Sequence, residues 1–235
     1  MSKIVAIHQP NFFPWLGYFD KILRSDAFIF LDHVQFPKTG GVWTNRVKLA
    51  IAGKPQWMTA PIIRNYHGVL AINDMEFETV NPWRTKMLRT VTYNYSKAPH
   101  YKETLEFFEP LILNPENNIS TYNTNAIIAI ATQLGIPNHK FYCSSALPHT
   151  GISNELLISL TKTVGGSIYM CGGGADGYQD EQIFRNESII LQRQEFVHPR
   201  YKQIRTSEFI SGLSIIDALM NIGWDSVRKL LIANQ

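Results

Sequence analysis

The segment from Lys3 to Asp32 constrains the fold of this chain more than any other. Residues 3–7 form a short run rich in β-branched residues that ends on the polar turn His8-Gln9-Pro10-Asn11. A strand buried on both faces has this pattern, whereas a half-exposed strand alternates. Leu16, Phe19, Ile22 and Leu23 then recur at spacings of three and four, which gathers one apolar stripe on a helix. Pro14 suits the first turn of that helix and Ser25-Asp26 breaks the pattern. Residues 27–31 are a second continuous apolar run, closed by Asp32. Strand, helix and strand in this order are the building unit of a parallel sheet, so a mostly parallel central sheet flanked by helices, α/β class, is expected.

The next stretch changes period. Residues 45–52, a Gly53-Lys54 turn and residues 57–63 alternate as a β-hairpin does, with a further strand expected at 72–77, so 43–80 reads as an antiparallel insertion. Residues 82–95, 101–113 and 120–134 have helical periodicity, the last stopped by Gly135-Ile136-Pro137, which makes 81–135 a helical segment. Parallel logic resumes with a strand at 141–146, a helix at 153–164 with Ser153 as its cap, and a strand at 167–171 that runs into Gly172-Gly173-Gly174. A short helix at 179–185, a strand at 189–196 and helices at 215–221 and 224–233 follow. No repeat or low-complexity linker divides the chain, and 1–235 reads as a single α/β domain.

Composition narrows the function. The 235 residues are 45% hydrophobic, and a core of this size buries roughly 70% or more of the unfolded surface. The 22 basic and 19 acidic residues, for a formal charge of +3, are spread along the chain. Neither a nucleic-acid tract nor a polybasic membrane anchor is visible, while a modest basic groove for an anionic substrate is compatible. No apolar run approaches the roughly 20 residues that span a bilayer, and the first residues lead into a strand rather than a signal peptide, so a cytoplasmic protein without membrane insertion is expected. Cys143 and Cys171 form neither a C-x-x-C pair nor a zinc spacing. Both read as buried, reduced thiols, and no metal site is expected.

Ligands of open parallel sheets bind beyond the carboxyl ends of the strands, near the point where strand order reverses. The residues just after each apolar run are therefore the candidates. His8 can donate to a phosphate or act as a general acid or base, its plainer alternative being a histidine satisfied by backbone. Asp32 can hold a metal or a substrate amine or hydroxyl, or simply serve as a turn or cap residue. These two are the candidate catalytic residues. Gln9, Asn11 and Gln35 can orient a substrate; Lys38, Trp43, Asn45 and Arg46, with Lys48, suit an anionic substrate carrying a flat ring. Gly172, Gly173 and Gly174 let backbone amides approach a phosphate, although they match neither a Walker motif nor G-x-G-x-x-G. Tyr178, His198 and Tyr201 follow strand ends and can close a pocket. There is no G-x-S-x-G elbow and no glycosidase carboxylate pair.

Several stretches together resemble a known family, the WbqC-like proteins of bacterial surface polysaccharide gene clusters. They are IHQPNFFPWLGYFDKI at 7–22, FIFLDHVQFPK at 28–38, WTNRVKL with the later WMTAPI, YMCGGGADGY, and FVHPRYKQ with LSIIDALMNIG. The resemblance implies an enzyme that modifies a sugar during O-antigen (lipopolysaccharide) or capsule synthesis. It further implies transfer of an amino acid such as glycine to the amine of a nucleotide-linked amino sugar. Such a reaction makes an amide, so the carboxylate must arrive activated by ATP, as aminoacyl-tRNA or from another acyl donor. The opening strand, helix and strand are also similar to the HUP/Rossmann-like nucleotide-binding fold of pantothenate synthetase and class I synthetases. Their signature carries two histidines; here His8 matches the first and Asn11 stands at the second, and the lysine-serine signature near their C-terminus is missing. A nucleotidyltransferase-like sugar-nucleotide enzyme and a non-catalytic sugar-nucleotide-binding protein of the same pathway are the two alternatives.

Overall fold

The computed structural model of the protein describes residues 2–37, 43–173 and 179–233. The chain runs β1 (Ile4–His8), α1 (Leu16–Arg24), β2 (Ala27–Phe30), β3 (Arg46–Ile51), β4 (Lys54–Thr59), α2 (Trp83–Tyr95) and α3 (Tyr101–Ile112). It continues with α4 (Ile119–Gln133), β5 (Phe141–Cys143), α5 (Asn154–Thr163), β6 (Ile168–Cys171), α6 (Glu181–Asn186), β7 (Ile190–Arg193) and α7 (Ile215–Ala233).

Five strands form one sheet in the order β5-β2-β1-β6-β7, and every pairing in it is parallel. β1 lies at the centre, with Val5 opposite Ala27 on one side and Tyr169 on the other. β1, β2 and β6 are continuously apolar because both of their faces are covered. Val5, Ile7, Ala27, Ile29, Tyr169 and Cys171 point to one side, against Leu156 and Leu160 of α5 and Phe184 of α6. Ala6, Phe28, Phe30 and Met170 point to the other, into a larger core with Phe19 and Ile22 of α1, Ile127 and Ile130 of α4, and Leu219 of α7. Each large aliphatic or aromatic side chain so buried stabilises the fold by about 1.5–3 kcal/mol.

β3 and β4 make a separate antiparallel hairpin. Its turn is Ala52-Gly53, one residue earlier than expected, because both residues have positive φ (+49° and +75°), as the two central residues of a type I′ turn require. β3 packs against α2 and α7.

Five expected features differ. Residues 72–77 are not a strand: Ile72–Asp74 is a 3-10 turn, and only isolated bridges join Ile62 to Phe77 and Glu76 to Asn118. The Asn118 side chain, which caps α4, also donates to the Asn73 carbonyl at 2.6 Å and so takes up backbone that a ladder would need. The strand expected at 141–146 stops at Cys143, because Ser144–Ala146 turns to meet Asp32. The strand expected at 189–196 is confined to Ile190–Arg193. Ser153 occupies the cap position of α5 without a side-chain capping bond, its φ being +51°. The two closing helices join within α7 across a break at Gly223, φ +73°. A side chain there would lie 2.6 Å from the His100 ring.

Candidate active site at the switch point of the sheet

From β1 the chain fills one side of the sheet with β2 and β5, then crosses to the other with β6 and β7. The switch point lies between the carboxyl ends of β1 and β6, where open sheets bind ligands. A cleft of about 480 Å³ opens there, lined by His8, Asn11, Trp43, Gly172 and Gly173. All five are residues the sequence singles out. α1 and the segment after β7 supply the rest of the wall, including Tyr18, Lys21, Gln194, Glu195 and Phe196.

His8 Nδ1 stands 3.1 Å from the Gln9 carbonyl oxygen. A carbonyl only accepts, so Nδ1 carries the hydrogen and Nε2 is left as the basic nitrogen. The Tyr18 hydroxyl donates to the same carbonyl at 2.9 Å, and its ring meets the imidazole edge-on at 4.8 Å. Burial, followed by the nearby Lys21 charge, pushes the His8 pKa down to about 3 against the opposing pull of the Gln9 carbonyl. His8 is therefore neutral at physiological pH, an acceptor at Nε2 rather than a cation.

Lys21 is the residue that sequence reasoning missed. It lies on α1, is 2% exposed, and its Nζ donates to the Ile7 carbonyl at 3.1 Å. Burial lowers its pKa to about 8 despite the neighbouring Cys171 thiol, which acts in the opposite direction. At neutral pH the amine is mostly charged, and among the described residues no carboxylate lies within ion-pair distance of it. A Cβ at Gly172 would stand 3.9 Å from Nζ, which places the buried ammonium beside Gly172 at the edge of the cleft.

Gln194 fastens this wall. Its backbone N–H donates to the Cys171 carbonyl at 3.0 Å, and its side-chain amide donates to the Gly17 carbonyl at 2.6 Å and to the buried Asp20 carboxylate at 2.7 Å. Gly17 is required for a different reason. A Cβ there would fall 2.5 Å from the Trp15 ring and 2.9 Å from that of Phe196, which cross edge-on over it at 5.5 Å between centroids.

Other candidates serve elsewhere. Asp32, at the end of β2, does not line the cleft: its carboxylate accepts from Ser144 Oγ at 2.8 Å, Ser145 N at 2.9 Å and Ser145 Oγ at 2.7 Å. Gln9 contributes its carbonyl, while Gln35 is exposed and bridges Ala71 through backbone. Asn45 Nδ2 donates to the Ala60 carbonyl at 2.9 Å across the base of the hairpin. The Arg46 guanidinium lies 4.0 Å from the ring centre of Trp57, which itself meets Trp43. Tyr201 donates to the buried Asp217 at 2.7 Å, and His198 packs between Phe196 and Phe209 behind the cleft wall. Lys38, Gly174 and Tyr178 lie outside the described residues.

Cys143 is half-buried and Cys171 buried, both free, and burial raises both thiols above their ordinary range. Among the described residues no three His, Cys, Asp or Glu side chains gather as a metal site, and no helix is long and apolar enough to cross a membrane.

The chain is 31% identical over 235 residues to an uncharacterized protein of Mycobacterium tuberculosis, a match that covers 99% of this chain and 100% of that protein. No solved structure matches it. A family model for the WbqC-like protein family matches residues 9–229, which include every residue of the cleft except His8, and the chain belongs to that family.

Proposed function

We propose that the protein is a transferase or ligase acting on a nucleotide-linked amino sugar of surface polysaccharide (O-antigen) synthesis, joining an amino acid such as glycine to the sugar amine as an amide. The observation that supports this most is the buried Lys21 ammonium, without a carboxylate partner among the described residues, at the edge of a switch-point cleft. A buried charge without a counter-ion is costly, and a diphosphate bound in the cleft supplies one. Gly172 and Gly173 leave room for phosphate oxygens, and Trp43 offers a half-exposed ring to the base or sugar.

In this reading the sugar amine attacks the carbonyl carbon of an activated acyl group. The C–N bond forms, the bond to the leaving oxygen breaks, and the amine gives up one hydrogen. His8 Nε2, left as the basic nitrogen by the Nδ1 bond to the Gln9 carbonyl and kept unprotonated by burial and the Lys21 charge, accepts the hydrogen bond of that amine and orients its lone pair. Asn11 is 3% exposed in the cleft and its side chain makes no hydrogen bond among the described residues, which leaves it to bind sugar hydroxyls. Asp32 acts on the neighbouring strand end through Ser144 and Ser145 rather than on the substrate.

The test is mass spectrometry of a nucleoside diphosphate amino sugar incubated with the protein and glycine plus ATP, or with a glycyl ester of RNA. A product heavier by one glycyl residue is expected; an unchanged sugar with every donor contradicts the reading. One observation favours a second reading, a sugar-nucleotide-binding protein without catalysis: an imidazole with a pKa of about 3 is a weak base. Under that reading a folded His8→Ala variant retains pathway output, and under the first it loses it.

A further inference from the structure

The cleft does not end at Trp43. The Trp43 ring meets Trp57 edge-on at 4.9 Å, and Trp57 borders a hollow of about 270 Å³ whose far side is Trp83 and Lys86 of α2. Lys86 also borders the next hollow, about 530 Å³, with Arg89 and Tyr93. The three spaces are thus linked in series by a ring contact and a shared lysine.

The two outer hollows share one chemistry, whereas the cleft itself also carries the Glu195 carboxylate. On β3, Arg46 and Lys48 share the face of the hairpin that carries Trp57, with their cationic groups 4.0 and 5.3 Å from its ring centre. On α2, residues 86, 89 and 93 follow one another at spacings of three and four and so share a face. Trp57 is 39% exposed and Tyr93 77%. Among the described residues no carboxylate lines either hollow, and none of Arg46, Lys48, Lys86 and Arg89 forms an ion pair. In the sequence these cations lie in two separated pairs; Trp57 stands between them, with Arg46 and Lys48 over its ring and Lys86 across the hollow that it borders.

We propose that this path is a groove for the single-stranded end of an RNA, whose 3′ ribose carries the acyl group into the cleft as an ester. Unpaired cations meet phosphates, and exposed aromatic rings give bases a surface to stack on, which is how single strands are held without sequence readout. The proposal rests on the amide-forming reading and names its donor. The sugar amine attacks the ester carbonyl, the C–N bond forms as the C–O bond to the ribose breaks, and the ribose hydroxyl takes the proton that the amine loses. No other reactant is consumed.

The experiment is fluorescence anisotropy of a short labelled single-stranded RNA with the full chain, with thermal melting to check that each variant is folded. Binding is expected to weaken with salt, with a logarithmic slope of about −0.7 per phosphate neutralised. It is expected to fall about tenfold or more in Trp57→Ala, the loss of one stacked base. The double variant Lys86→Glu with Arg89→Glu, both at exposed positions, is expected to lose it as well. Absence of binding at low salt, or unchanged binding in the folded double variant, overturns the proposal. So does preference for phosphatidylserine vesicles over RNA, which would make the path a membrane surface. Amide formation from glycine and ATP without RNA binding would remove the groove and leave the amide reading standing. RNA binding without amide formation would leave the groove as an RNA surface and remove the reading beneath it.

Discussion

The ammonium of Lys21 donates to the carbonyl oxygen of Ile7 at 3.1 Å, so a helix side chain closes the end of the central strand with a buried positive charge. That charge costs stability until something anionic meets it. Its folded pKa of about 8 lies below the 10.5 of a free lysine, so between these values the unfolded chain holds the proton that the native chain has lost. Stability contributed by this group therefore rises with pH through that window, and the full cost is present below about pH 8.

Lys21→Met is expected to unfold at equal or higher urea concentration than the wild type at pH 7. The gain should shrink toward pH 10, where the wild-type amine is neutral. Urea titrations at the two pH values measure this. A variant destabilised at both would mean that the ammonium has a partner that matters more than its burial.

His8 has the same consequence in acid. Its folded pKa of about 3 lies below the ordinary 6.5, so within that interval the unfolded state binds the proton more readily. The stability linked to a neutral His8 is complete above about pH 6.5 and is lost as the pH falls toward 3. His8→Gln should flatten the decline of the urea midpoint between pH 6.5 and 4. A midpoint that falls as steeply in the variant assigns the acid sensitivity to other groups.

Asp32→Asn separates scaffold from chemistry. It weakens the bonds to Ser144 and Ser145 and should cost about 1–3 kcal/mol in urea unfolding, while nucleotide-sugar affinity in the cleft stays within about twofold, since Asp32 does not line it. Calorimetric titration of the folded variant decides: an affinity loss of about tenfold or more would return Asp32 to the substrate.

Much of this was legible in the sequence, because the opening strands are apolar on both faces and end on polar residues. His8, Asn11, Trp43, Gly172 and Gly173 satisfy that rule or follow from the loops it marks, and they line the cleft. Lys21 was not, since the stripe of Leu16, Phe19 and Ile22 placed it on the polar side of α1. The helix is in fact buried from Leu16 to Ile22, and its second face turns to the cleft and to Gln194. An aspartate-lysine pair inside a short helix flanked by bulky apolar residues was the available signal. Asp32 and Tyr201 each follow a strand and so carry the sequence mark of site residues, yet their polar atoms are spent within the fold. Position at a strand end does not distinguish a group that faces substrate from one that anchors the next loop.

Asp217 shows the second kind of use at its fullest. Its carboxylate accepts from Tyr95 at 2.8 Å, Tyr201 at 2.7 Å and Gln203 at 2.9 Å, tying α2 and the segment behind the cleft to α7. Asp217→Ala leaves three donors without their acceptor and should cost about 3 kcal/mol or more, whereas Tyr95→Phe removes one bond and should cost about 1 kcal/mol. Urea unfolding of the two variants checks the order, and a smaller loss for Asp217→Ala would contradict it.

The most direct test of the cleft is isothermal titration calorimetry of a nucleoside diphosphate amino sugar against the wild type and Lys21→Met at neutral pH. Loss of a charge-assisted contact worth about 1.5–3 kcal/mol predicts an affinity lower by about tenfold or more in the variant. The wild-type affinity should itself decline as the pH rises past about 8, where Lys21 loses its proton. Equal affinity in the two proteins, with no such decline, would contradict an anion-binding cleft at the end of β1.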